Sequence, residues 1–184
     1  MQLRDNGLGF SPITIALHWL IAALLLAILV LAALLAAGVD PAQHAALLRA
    51  RNALGLVLFA VSIYRFWQRV TSWHPLPVGT PNPIEVIVSR SVAAALALAM
   101  VLLPFAAWLA NATAGQATPL PGGLDIPTPF AANHAAHAVV AFLFDAGSIA
   151  FLAGLALHLF GALKNHFILR NEALKRMLGK RVEL

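Results

Sequence analysis

Apolar residues fall into four long runs, separated by short polar or Pro/Gly-rich stretches. The first, Ile13 to Ala37, carries no charge and exceeds the roughly 20 residues a membrane span needs. Ser11 and Pro12 supply an N-cap and a favoured first-turn proline, and Gly38 a stop, so the pattern predicts a helix over 12–37. Its length marks a retained span rather than a cleaved secretory signal. Asp40 and Pro41 open a second run, whose core ALGLVLFAVSIYRFW predicts a helix over about 44–68. The segment SWHPLPVGTPNP at 72–83 holds four prolines and reads as a connector. A third helix is expected over 84–110, with Pro104 bending it near its exit. A Pro/Gly-rich loop at 111–132 carries only Asp125 as a charge, and a fourth helix is expected over 133–166. The implied fold class is an all-α membrane protein, a four-transmembrane-helix bundle in a single membrane domain, with a basic tail at 167–184.

Composition agrees with that pattern. The 184 residues are 61% hydrophobic and 10% charged, with a mean hydropathy of +0.84, values that soluble domains rarely combine. Cysteine is absent, so this chain builds no disulfide, thiolate zinc site or iron–sulfur cluster. The formal charge of +5 sits at the ends of the apolar runs. Arg4, Arg65, Arg69, Arg90, Lys164 and the tail lie on the side of the termini, whereas the other side has Arg49 and Arg51 near the second helix and no Lys or Arg in the 111–132 loop. By the positive-inside rule both termini are cytoplasmic. Topology thus explains the basic residues, which favour anionic lipid headgroups over nucleic acid. Trp19, Trp67, Trp73 and Trp108 fall near span ends, as interface anchors do.

Of seven histidines (His18, His44, His74, His134, His137, His158 and His166), two share a depth. His18 lies six residues, about 9 Å, inside the first helix, and His158 eight residues, about 12 Å, from the end of the fourth. A lone intramembrane histidine often just hydrogen-bonds a neighbouring helix; a matched pair near one face favours a shared ligand. Haem b suits it, because two neutral imidazoles fill both axial positions and the porphyrin is apolar. Zinc would require further protein ligands at that depth. Gly55, Gly154 and Gly161 give room to a macrocycle or serve ordinary helix packing. Arg65, Arg69 and Lys164 meet haem propionates or act only as topology anchors.

With these residues in place, the chain resembles the bacterial cytochrome b561 family, which includes the b-type subunits of nickel-iron hydrogenases and a di-haem, quinone-linked superoxide oxidase branch. The resemblance is carried by SPITIALHWL at 11–20, NALGLVLFAVSIYRFW at 52–67, LLPFAAWL at 102–109 and LALHLFGALKNHFILRNEALKRML at 155–178. It implies a four-helix protein of the bacterial inner membrane that carries electrons through haem b, exchanging them with quinone or a redox partner. It also places the inner axial ligands on His18 and His158.

The outer haem of that family needs histidines where this chain has Arg51 and Phe144. The resemblance is therefore to a variant lacking the usual outer-haem ligands. Two readings of the vacancy stand: a displaced cofactor on His44 and His137, each seven residues before the family position, or protein filling the space through an Arg51–Asp145 ion pair. Asp145 also reads as a proton acceptor beside a quinone pocket. Near the inner site Asn165 replaces the first of a His-His pair and His166 keeps the second, as a helix-end residue or a quinone contact. The leading expectation is a one-electron carrier with one bis-histidine haem near the cytoplasmic side. The competing one is a structural or accessory subunit of a respiratory or photosynthetic complex. A small transporter would need a polar pathway that these few charges do not make.

Overall fold

The computed structural model describes residues 5, 6, 9–73, 76 and 82–180. Arg4, His74 and Arg181, to which the sequence reading gave charge or ligand potential, lie outside them. Four helices long and apolar enough to cross a membrane are present: α1 (Pro12–Ala37), α2 (Pro41–Thr71), α3 (Pro83–Thr113) and α4 (His134–Leu163). A π turn, Lys164–Ile168, continues α4, and a short α5 (Ala173–Met177) follows. Between α3 and α4, a two-residue antiparallel ladder pairs β1 (Thr118–Pro119) with β2 (Asp125–Ile126) around a 3-10 turn. The described residues are all-α apart from this ladder.

Local chemistry sets the helix starts. Ser11 Oγ accepts from the Thr14 amide at 3.2 Å, and Asp40 Oδ1 accepts from the Ala42 and Gln43 amides at 3.0 Å. Asn82 and Asn133 accept from the Ile84 and Ala136 amides at 2.9 and 3.0 Å. Each satisfies one or two of the amides a helix start leaves orphaned. Gly38, at φ +81°, takes the left-handed conformation that ends α1. Because Asp40 caps it, α2 begins at Pro41; α3 runs past Asn111 to Thr113, whose hydroxyl bonds back to the carbonyls of Leu109 and Ala110.

Contacts divide the chain into two compact units. One comprises residues 1–19, 63–99 and 149–184. Its interior is polar where α1 meets α2: buried Gln68 donates to buried Thr14 at 2.9 Å, and Arg65 donates to the side-chain Oε1 of Gln68 at 3.2 Å. Ser11 and Thr14 hydroxyls bond each other at 3.1 Å, and Asp5 accepts from the Ser11 amide. Apolar packing in the same unit comes from Leu96, Ala97 and Phe151, with Leu96 against the backbone of Gly154.

The other unit comprises 20–62 and 100–148. Ile21, Leu58 and Ala112 are buried in it, and the α3–α4 loop is tied down through side chains. Asn52 donates to the Pro119 carbonyl at 3.0 Å, Asn111 to Thr118 at 3.0 Å and Thr128 to the Ala112 carbonyl at 3.0 Å. Trp108 packs between Phe105 and Phe130.

The basic tail is folded back rather than free. The Trp19 indole N–H donates to the Met177 carbonyl at 2.9 Å, and the Arg176 guanidinium, only 7% exposed, donates to the Leu76 carbonyl at 2.7 Å. Burial pushes Arg176 below the usual arginine range. Its charge is thus turned inward, unlike that of Lys175, which pairs with Glu172 at the surface. Trp19→Phe keeps the ring and deletes the N–H donor. The expected outcome is several-fold faster tryptic cleavage at Lys175 and Arg176 with unchanged helical circular dichroism.

Candidate functional site

On α1, the inward positions Ser11, Thr14, His18 and Ile21 recur at three- and four-residue intervals, as one face of a helix does. On α4, Phe151, Gly154, His158 and Gly161 do the same. The two faces bring His18 and His158 together, with ring centroids 6.3 Å apart and planes inclined by 58°. Trp19 lies edge-on to His18 at 5.5 Å.

The spacing has chemical content. Imidazole nitrogens bind metals at about 2.0–2.1 Å and lie about 1.1 Å from their own ring centre, so two rings on opposite sides of one metal have centres about 6.3 Å apart. The observed separation fits that arrangement. Neither ring has a hydrogen-bond partner among the described residues, unlike the usual histidine inside a span, which bonds a neighbouring helix. Among the described residues no three of His, Cys, Asp or Glu converge to hold a metal ion by themselves. A cofactor supplying its own equatorial ligands matches a donor set of two; a bare ion, which needs more, does not.

Two of the three glycines singled out by sequence behave differently from the third. A Cβ on Gly154 would meet Leu96 at 3.4 Å, the signature of close packing. A Cβ on Gly161, one turn beyond His158 on the same face, meets nothing within 4 Å. Gly55 is likewise open, in the unit formed by 20–62 and 100–148.

The cations also divide. Arg65, half-buried on α2, is held by Gln68, which is in turn held by Thr14, one turn before His18. Sequence reading missed this Thr14–Gln68–Arg65 chain; the one available signal was polar residues at the inward spacing of otherwise apolar helices. Arg69 donates to the Arg90 carbonyl at 3.3 Å, and Lys164 forms an ion pair with Glu85 at 2.9 Å.

At the positions corresponding to the family's outer site, the expected Arg51–Asp145 ion pair does not form. The described ion pairs are Lys164–Glu85 and Lys175–Glu172. The reason is rotational: one residue turns a helix by about 100°, so the half-buried Phe144 faces inward and Asp145 faces out. His137 Nδ1 bonds the Ala110 carbonyl at 3.0 Å, His44 is exposed, and these two make no ring pair. His166 is exposed against Phe167, while Asn165 donates to the Gly161 carbonyl at 2.9 Å and accepts from Asn171.

The chain matches the family described as prokaryotic cytochrome b561 over residues 9–180. It is also similar to Cytochrome b561 homolog 2 of Escherichia coli (strain K12), at 30% identity over 131 residues, covering 70% of this chain and 69% of the relative.

Proposed function

Because the chain belongs to the prokaryotic cytochrome b561 family, a family of multi-pass inner-membrane proteins, we propose that it carries electrons through one haem b held between His18 and His158. The observation that carries this reading is the pair of unpartnered imidazoles 6.3 Å apart. Bound haem supplies a one-electron ferric/ferrous couple. His18 and His158 would be the two residues that hold its iron. Gly161 leaves room beside His158. Arg65 offers positive charge to a propionate and is fixed by Gln68; Lys164, engaged with Glu85, serves that role only by exchanging partners.

Positive-inside asymmetry puts both termini, and with them His18 and His158, toward the cytoplasm. With Arg51 and Phe144 in place of outer ligands, about 20 Å of a roughly 30 Å hydrocarbon core has no second carrier. A haem held by His18 and His158 would therefore serve quinone or a redox partner subunit on the same side, rather than transfer across the bilayer.

Haem stoichiometry and a reduced-minus-oxidised spectrum on the detergent-purified protein test this. One low-spin haem per chain is expected. Two would revive a second site on His44 and His137, and none would make the protein an accessory subunit of a membrane complex. Arg65→Gln removes a positive charge near the oxidised centre and is expected to lower the midpoint potential by about 30–60 mV, half to one decade at about 59 mV per tenfold change. A redox titration reads it, and an unchanged potential would place Arg65 away from the haem.

A further inference from the structure

Asp145 is the one Asp, Glu, Lys or Arg in α4, and it lies on the exposed side of that helix. It has no hydrogen bond or ion pair with the described residues. Phe142 and Ile149, three before and four after it, are 69% and 70% exposed, and Leu152, three further on, is 48% exposed. The four side chains form a stripe with the alternating spacing of a helix–helix seam. A carboxylate facing hydrocarbon is costly, and such residues normally pair or line a polar cavity. A single polar group in an apolar seam also fixes the register of the helix that packs on it.

We propose that the Phe142–Asp145–Ile149–Leu152 face of α4 docks a transmembrane helix of another polypeptide, which brings a cationic side chain to the Asp145 carboxylate. Charge decides the occupant. A second copy using the same face about a two-fold axis would oppose Asp145 with Asp145, a like-charge contact. Arg51, the cation sequence reading had assigned to Asp145, is half-buried on α2. A basic partner helix satisfies the carboxylate and covers the apolar residues flanking it. This rests on the partner-subunit side of the electron-carrier reading and names the surface, whose residues all lie on α4.

The test exploits the absence of cysteine. Gln43→Cys, at the exposed start of α2, gives one labelling site. Energy transfer is measured in phosphatidylcholine vesicles between that label and a leucine-rich transmembrane peptide carrying one mid-span Arg, Leu or Glu. Haem content is determined in parallel, so loss of haem and loss of docking are read separately. The Arg peptide is expected to associate at least tenfold more tightly than the Leu peptide, with the Glu peptide no better than Leu. Asp145→Leu should erase the preference while leaving the melting temperature in detergent unchanged or higher. Equal binding of Arg and Leu peptides, or a preference that survives Asp145→Leu, overturns the proposal. So does a lower melting temperature in Asp145→Leu, which would give Asp145 an intrachain role. Self-association of the chain that Asp145→Leu abolishes overturns it too, by making the occupant a second copy.

Discussion

His18→Ala and His158→Ala are each expected to lower haem occupancy at least tenfold, about 1.4 kcal/mol or more of binding free energy. The reason is that the two rings form one site. Their centroids are 6.3 Å apart, and no other described His, Cys, Asp or Glu joins them to replace a lost ligand. Any haem retained by a single variant should be bound through one imidazole, with a high-spin spectrum in place of the low-spin one. The double variant should lose little beyond either single, because effects within one site are not additive. Neither ring makes a hydrogen bond with the described residues, so the apoprotein loses no such contact and its helical content should persist. His44→Ala, on an exposed ring, is the control and should keep native stoichiometry. Native spectra in either His18→Ala or His158→Ala would end the bis-histidine reading.

Gly161→Leu should have the next largest effect. Nothing lies within 4 Å of a Cβ built there, so the new side chain fits the apoprotein without displacing packed atoms. It would occupy space one turn from His158 on the face that carries the imidazole, where a macrocycle held by that residue must lie. The expected result is haem occupancy reduced several-fold to tenfold at unchanged or slightly higher apoprotein stability. Gly154→Leu makes the opposite case. A Cβ built there stands 3.4 Å from Leu96, so the further bulk of leucine overpacks the α3–α4 contact, at a cost of about 1–3 kcal/mol in stability. Thermal melts of apoprotein alongside haem titrations separate the two. Equal loss of stability in both variants would make Gly161 a packing residue like Gly154.

The same pair of glycines marks where sequence reading stops. Spacing put both on the His158 face and left clearance and packing as equal explanations; Leu96 of α3 makes the distinction, and no local pattern in α4 contains it. Arg51 and Asp145 fail for a related reason. Matching depth along two helices is legible from residue counts, but partnership also needs both side chains to face each other. A single-residue step from Phe144 to Asp145 rotates the side chain out of the interior. Lys164 looked available to a propionate until folding brought Glu85, 79 positions away, within 2.9 Å.

Sequence alone determined the features with short-range causes. Long apolar runs poor in charge specify four helices of membrane length, because lipid demands that backbone groups be satisfied within the segment. Ser11, Asp40 and Pro41 specify where the first two start, because a cap acts on amides two or three residues away. The pairing of His18 with His158 was also legible, since both lie at similar distances from helix ends on one side. Tertiary structure alone decided which faces turn inward: that the two imidazoles meet without other partners, that Gln68 links Thr14 to Arg65, that the tail closes on Trp19, and that Asp145 faces outward. Helix rotation is set by side chains far apart in the chain, and rotation determines which groups touch.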